Sequence, residues 1–382
     1  MIKPKERLKV CFFNLFSYPL FNPKSKINFG GTEVQLSLMA KELAKDKNFE
    51  VSFLMGGAGG QPAQELISKV KIYKAVNVLP RRNYFLKGLC LFLKSLCLCF
   101  KINPDILVFS PEGLPTLPFY LYAKLMHKKI VARINNDPMT NPSQIANLKY
   151  KDVFNNFQYR FTLFWQIKNS NFIIAQNNKQ VQNLNKFFKF YKIGIAPNIY
   201  EIGRKADLEN KQFILWVGKM SQLKRPQLFI ELAKRFPKEK FVMIASSYGH
   251  EFEKNIEREA EKLKNLKLVY SVPFHEVDDY FKKAKLLVNT SEWEGFPNTF
   301  VQASKNGTPI LSFKANPNNI LNKYRIGFCA KGKFNKLISY THSLLKNTLL
   351  WQEMSQNTYK YAKENYDIRK KIKEIKEILI SL

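Results

Sequence analysis

Short apolar runs rich in Val, Ile, Leu and Phe recur along the chain, each separated from the next by a stretch of helical periodicity. LKVCFFN (8–14) reads as a strand, TEVQLSLMAKELAKD (32–46) as a helix and FEVSFLM (49–55) as the next strand. Val34, Leu38 and Met39 continue one apolar face through the middle segment. Thr32, with Gln35 three positions later, has the form of a capping box at its start. Further strands are predicted at PDILVFS (104–110), KIVARIN (129–135), NFIIAQN (171–177) and IGIAPN (193–198). Strand and helix in alternation specify a parallel sheet covered by helices. The pattern breaks over 199–212, where the chain runs through the polar stretch YEIGRKADLENKQ. It resumes with FILWVG (213–218), KFVMIAS (240–246), LKLVYSV (266–272), KLLVNTS (285–291) and TPILSF (308–313). Two successive doubly wound α/β units joined by one polar linker are the simplest arrangement. A charged helical run, IRKKIKEIKEILISL (368–382), closes the chain.

Composition agrees with this division. At roughly 150 residues per domain, 382 residues make two. With 32 Phe and 17 Tyr to bury, global disorder is excluded. Five Cys, odd in number and without a CxxC pair, exclude a disulfide framework. The opening MIKPKERLKV has no apolar run behind it of signal-peptide length, and no charge-free stretch reaches the ~18 residues of a spanning helix. A cytoplasmic protein is therefore expected. Lys and Arg number 62 against 30 Asp and Glu, a net charge of +32. Such an excess has two sources: a coding bias toward Lys, Asn, Ile and Phe, or anionic partners. The basic residues are spread along the whole chain, and no zinc-finger spacing, glycine-rich RNA motif or helix-turn-helix pattern occurs, so nucleic acid is not an expected partner.

In open parallel sheets, ligands bind at the carboxyl ends of strands. Three segments fall there. Gly30-Gly31 precede a helix, where backbone N–H groups can meet an anion; a plain turn explains two glycines equally well. Lys219 and Lys224 lie in the loop after FILWVG, with Pro226 suited to the first turn of the next helix. The two cations match a diphosphate, and solvated lysines in a Lys-rich chain are the alternative. In the third, Ser291-Glu292-Trp293-Glu294-Gly295-Phe296-Pro297-Asn298-Thr299, Glu294 follows the strand KLLVNTS. A helix is predicted to begin near Asn298 and stop before Gly307. A carboxylate beside a helix start suits a sugar, accepting from hydroxyls while amides hold phosphate; helix capping is the plainer role for it.

Taken together, these pieces resemble glycosyltransferase family 4. FGGTE (29–33), PDILVFS (104–110), IAPN (195–198), WVGKMSQLKRP (216–226), SVPFHEVDDYFKKAKLLVNTS (271–291) and EGFPNTFVQASKNGTPIL (294–311) run in the order and at the spacing of that family. The resemblance implies the GT-B fold, two Rossmann-like doubly wound parallel-sheet domains facing across a cleft. Residues 1–200 would form an acceptor-side domain on which a C-terminal helix at 366–382 packs back. Residues 201–365 would form the domain binding a nucleotide-sugar, and a hinge near 199–212 would close the cleft. The implied reaction is retaining transfer from a nucleotide-diphosphate sugar to a glycan or lipid-linked glycan acceptor in surface polysaccharide or lipopolysaccharide biosynthesis. No cofactor or metal is expected. In the roles carried over, Glu294 contacts donor-sugar hydroxyls. The stretch Gly295, Phe296, Pro297, Asn298 and Thr299, with Gly30 and Gly31, holds sugar and diphosphate. Lys219 and Lys224 neutralise the leaving group, and Val272-Pro273 lie against the base.

The sequence departs from the family pattern at three points. Gln302 stands where many members have a second Glu for the ribose, so that contact is uncharged. Lys219 stands in place of Arg, without the bidentate fork. Asn135-Asn136-Asp137 replace the His that many members carry after this strand, leaving Asn135 and Asp137 as acceptor-side candidates. His127, His250, His275 and His342 lack metal-ligand spacing. Two other classes are compatible with parts of the pattern: another GT-B sugar-nucleotide enzyme, epimerase-like, or a basic nucleic-acid-binding protein. One stretch stands outside the resemblance. In RRNYFLKGLCLFLKSLCLCFKI (81–102), Lys87, Lys94 and Lys101 form a seven-residue stripe on an otherwise apolar helix. It is either a core helix or a face that rests on an anionic membrane surface.

Overall fold

The computed structural model describes residues 7–382 except Lys26, Asn28, Ala58, 78–83, 146–152, 247–250 and Ser271; at 84–87, 144–145, 153–157 and 208 the description covers the backbone only. The chain forms two compact units, Met1–Ile199 with Ile368–Leu382, and Tyr200–Asp367.

The first unit is built on β1 (Leu8–Phe13), β2 (Phe49–Gly57), β3 (Gln64–Ile67), β4 (Val70–Asn77), β5 (Ile106–Phe109), β6 (Lys129–Arg133), β7 (Phe172–Ala175) and β8 (Ile193–Ile195). They form one sheet in the order β3-β4-β2-β1-β5-β6-β7-β8. All pairings are parallel except β3 with β4. Period-two alternation sends Val10, Phe12, Val108 and Val131 to one face, with Leu36, Met39 and Leu43 of helix α1 (Gly31–Leu43). Cys11, Phe13, Leu107 and Phe109 go to the other, with Leu91 and Cys99 of α2 (Tyr84–Ile102) and Phe119 and Tyr122 of α3 (Leu117–Leu125). Both faces are covered, which is why these strands read as continuous apolar runs and not as alternating ones. The last helix, Ile368–Ile380, buries Ile372, Ile375 and Leu379 on the α1 face, and Lys376 pairs with Asp46 at 2.8 Å.

The second unit carries β9 (Phe213–Lys219), β10 (Phe241–Ser246), β11 (Leu266–Tyr270), β12 (Ala284–Asn289), β13 (Ile310–Ser312) and β14 (Gly327–Cys329). They form an all-parallel sheet in the order β11-β10-β9-β12-β13-β14. From β9 the chain winds outward to β11, then returns to β12 on the other side. The switch point therefore lies between β9 and β12 in this unit, and between β1 and β5 in the first.

Four local features differ from the sequence reading. The helix start in α1 is not set by Thr32 and Gln35. Gly30 is the N-cap, and Glu33 reaches back to accept from its N–H at 2.9 Å, while Gln35 is buried and clasps the backbone of Ile199. The hairpin β3–β4 went unread because its two-residue turn is Ser68-Lys69, at φ 52° and 62°. Left-handed backbone at both positions is usually signalled by Asn or Gly, and neither is present. β14 went unread because it is three residues long; a Cβ at Gly327 would fall 1.9 Å from the Ile310 carbonyl oxygen, so only glycine allows this approach. In the polar stretch 199–212, Lys211 is buried, donating to the Asn306 carbonyl at 3.0 Å and Thr308 Oγ1 at 2.9 Å. Burial first, and Lys205 second, push its ammonium down to about 7.

Candidate active site

In the second unit, the loops at the carboxyl ends of β9 and β12 meet at the switch point. The first of them, 219–225, is fixed from below. Trp216 Nε1 donates to Thr290 Oγ1 at 2.9 Å, and Thr290 Oγ1 donates to the Lys224 carbonyl at 2.6 Å. The Glu292 N–H donates to the Leu223 carbonyl at 2.9 Å, which stitches the two loops together through the backbone. On that frame the Lys224 ammonium is ion-paired and hydrogen-bonded to Glu294 Oε1, the same oxygen that accepts from Ser291 Oγ at 2.6 Å. Both charged side chains are largely withdrawn from water, at 27% and 14% exposure, so their attraction is less screened than that of a surface pair. Lys219 ends β9, is exposed and belongs to the same loop.

Beyond Glu294 the chain is anchored by Phe296, buried with its ring edge-on to Tyr366 at 5.6 Å. Its side chain thus belongs to the core, and any ligand contact it makes is by backbone. Gly295 and Pro297 are also buried. Pro297 is the N-cap of the helix Asn298–Lys305 and makes no capping bond of its own. The first-turn amides and the positive end of the dipole are thereby set beside Glu294. Thr299 is half-buried in that turn, and Gln302 one turn on is buried. The helix ends where the sequence placed its stop, with Gly307 at φ 61°. Val272 and Pro273 follow the edge strand β11, and Pro273 is the N-cap of the helix Phe274–Lys283. Pro226 is the first residue of the helix Pro226–Arg235.

The first unit has its own polar cluster at its strand ends. Asn14, after β1, donates to Glu33 Oε1 at 3.3 Å, so Glu33 ties the β1 end to the start of α1. The Gly30 N–H faces a carboxylate there, which places negative charge against the Gly30-Gly31 turn. Asn135 is half-buried. Asp137 is drawn inward: its Oδ1 accepts from Asn177 at 3.0 Å and Gln180 at 3.1 Å, and Lys179 lies 3.3 Å from Oδ2. That carboxylate holds the loop after β6 against the loop after β7. Behind it stands a residue the sequence reading passed over. Arg133, the last residue of β6, is buried; its Nη2 donates to Asn198 at 2.9 Å, Gln176 donates to the same oxygen at 3.0 Å, and its Nε has no partner. Burial pushes its guanidinium down to about 10. The available signal was an arginine inside the apolar run KIVARIN. Among the described residues, no group of three or more His, Cys, Asp or Glu could hold a metal ion, and His250 lies outside the described residues.

Comparison with known proteins places this geometry in a class. Residues 200–365 match the family model described as glycosyl transferases group 1. An uncharacterized glycosyltransferase of Haemophilus influenzae is 27% identical over 363 residues, covering 92% of this chain and 96% of that protein. Among solved structures, the sucrose-phosphate synthase of Thermosynechococcus elongatus superposes with a TM-score of 0.83 at 11% identity, covering 98% of this chain and 99% of its own. WaaG, a glycosyltransferase involved in lipopolysaccharide biosynthesis, superposes with a TM-score of 0.69 at 13% identity over 97% and 99%. The protein is a glycosyltransferase, and its two units have the GT-B fold.

Proposed function

We propose that the protein transfers a sugar, with retention at the anomeric carbon, from a nucleotide-diphosphate sugar to a glycan or lipid-linked glycan acceptor in surface polysaccharide or lipopolysaccharide biosynthesis. The observation that carries this reading is the pairing of Lys224 with Glu294 at the switch point of the second sheet, four residues before the helix start at Asn298. A diphosphate leaving group gathers negative charge as the glycosidic bond loosens. Lys219, Lys224 and the amides of 298–299 offer positive charge fixed before the reaction begins, which is the arrangement that lowers such a barrier. In this reading Glu294 accepts from sugar hydroxyls and holds the ring for attack. Gly295 to Thr299 follow the sugar and phosphates, and Gln302 and Val272-Pro273 serve the nucleoside. In the first unit, Asn135 and Asp137 are assigned to the acceptor. The cations take the place of a metal, so no cofactor is proposed.

The test is a thermal-shift screen of nucleotide-sugars, followed by product analysis with the labelled donor that stabilises. Ligand at ~100 times its dissociation constant adds about 2.7 kcal/mol of apparent stability. A new glycosidic product of retained configuration supports the proposal. An epimerised sugar without transfer, or no stabilising nucleotide-sugar, overturns it.

We place the reaction in the cytoplasm, at an anionic membrane surface. Among the described residues no helix is long and apolar enough to cross a membrane. The outer side of α2 and α3 supports a docked arrangement instead. Leu91, Ser95 and Cys99 turn α2 inward, while Leu89, Leu93 and Phe100 are 51%, 52% and 47% exposed. Phe100 meets Tyr122 of α3 edge-on at 5.3 Å, and Leu121 and Leu125 of α3, with Met126 just after it, are also exposed. Lys94, Lys101 and Lys124 stand exposed on the same two helices. Arg81 and Arg82 lie outside the described residues, as does the side chain of Lys87. Each basic residue near an anionic surface contributes on the order of 1 kcal/mol. The expected result is co-sedimentation with phosphatidylglycerol vesicles that weakens with salt, and roughly tenfold weaker binding for Leu89→Ser/Leu93→Ser. Binding that ignores vesicle charge, or is unmoved by both substitutions, overturns the docking.

A further inference from the structure

The loop after β12 carries two carboxylates, Glu292 and Glu294, only two residues apart, and the structure assigns each its own cations. Glu294 is held by Lys224 and Ser291. Glu292 is held elsewhere: Lys314, just beyond β13, is hydrogen-bonded to its Oε1, and Arg225 Nη2 lies 2.8 Å from its Oε2. The Arg225 contact is a charge contact without hydrogen-bond alignment. Lys314 first, and Arg225 with it, hold the Glu292 carboxyl below the usual carboxylate range. The Arg225 guanidinium also lies over the Phe313 ring, 5.5 Å from its centroid, so three neighbouring loops meet on this one side chain.

The backbone at Arg225 makes this arrangement informative. Its φ is 47° and ψ 54°, the left-handed region, at the N-cap of the helix Pro226–Arg235, and its side chain makes no capping bond. A non-glycine residue is strained there. The ion pair is partly exposed, at 36% and 29%, and such pairs contribute little to stability. The ion pair and the Phe313 contact therefore do little more than offset the backbone strain, so stability alone gives no preference for arginine here. We propose that Arg225 is a positioning residue that, with Lys314, sequesters Glu292, so that Glu294 alone faces Lys224. Without that clamp, Glu292, whose backbone N–H bonds the Leu223 carbonyl, is a second anion within the same pair of loops and competes with a ligand for the lysine. The inference rests on the reading of Glu294 and Lys224 as donor contacts.

The experiment compares the wild-type enzyme, Arg225→Gly and Arg225→Gly/Glu292→Gln by melting temperature, steady-state kinetics with the donor from the screen, and affinity for the matching nucleoside diphosphate. Arg225→Gly is expected to melt close to wild type, because relief of the left-handed backbone offsets the lost ion pair and Phe313 contact, while kcat/KM falls about tenfold, the scale of one charge contact. Adding Glu292→Gln, which removes the competing charge, is expected to restore most of that loss. A purely structural arginine predicts the reverse pattern, a lower melting temperature with no rescue. Unchanged kcat/KM in Arg225→Gly, or a loss that Glu292→Gln does not relieve, overturns the proposal. Should Glu294→Ala retain full turnover, the donor-site reading fails first; should it be inactive while Arg225→Gly is unaffected, only the clamp fails.

Discussion

Replacing Glu294 with alanine is expected to lower kcat at least ~100-fold, the scale of a lost transition-state contact, while the protein stays folded. The fold survives because the frame under the loop does not use this carboxylate. Thr290 bridges Trp216 and the Lys224 carbonyl, Glu292 bonds the Leu223 carbonyl, and Phe296 is packed on Tyr366. Loss of the Lys224–Glu294 pair leaves a lysine at 27% exposure that can turn toward water, so the variant is destabilised but stays folded. Glu294→Gln separates charge from shape. The amide keeps an acceptor for Ser291 and for a sugar hydroxyl but no longer attracts Lys224. An activity between wild type and Glu294→Ala is expected for it. Wild-type turnover in a folded Glu294→Ala enzyme would falsify the placement of this residue in the site.

Much of the fold, and the local framework of the candidate site, was legible from sequence because both rest on local rules. Strands buried on two faces must be continuous apolar runs, so β1, β5, β6, β9 and β12 stood out without tertiary information. Pro226 at a helix start and Gly307 past a helix end are fixed by backbone geometry, and the structure has them there. What stayed hidden depends on partners distant in sequence. The Ser68-Lys69 turn carries no residue that favours its left-handed backbone; its conformation is imposed by the pairing of β3 with β4. The capping of α1 by Glu33 was masked by a better-looking motif two residues on, whose Gln35 is drawn off to Ile199, 164 positions away. The pairing of Glu292 with Arg225 and Lys314 joins three loops, and nothing in SEWEG marks Glu292 for those partners. Arg133 was visible as a letter, but its role depends on Asn198 and Gln176 at the ends of two other strands.

Lys224 is expected to separate nucleoside diphosphates from monophosphates. In Lys224→Ala, affinity for the diphosphate should fall by about 1.5–3 kcal/mol, the contribution of a hydrogen bond to a charged group, which is roughly 10–150-fold. The monophosphate should lose much less. Lys219→Ala should show the same selectivity with a smaller loss, since Lys219 is exposed and its charge is better screened. The structure adds a sharper consequence. Lys224 is neutralised by Glu294, so a diphosphate must compete with that carboxylate for the ammonium. Glu294→Ala is therefore expected to bind the free diphosphate more tightly than wild type while turning over the sugar donor far more slowly. In the double variant, removing Glu294 should bring no gain, because the lysine it restrained is gone. Calorimetric titration of the four proteins at one fixed salt concentration closes this cycle. Coupling near zero between Lys224 and Glu294 would show that the two side chains act on the ligand independently, and the diphosphate would then have to be sought against Lys219 and the helix start at Asn298.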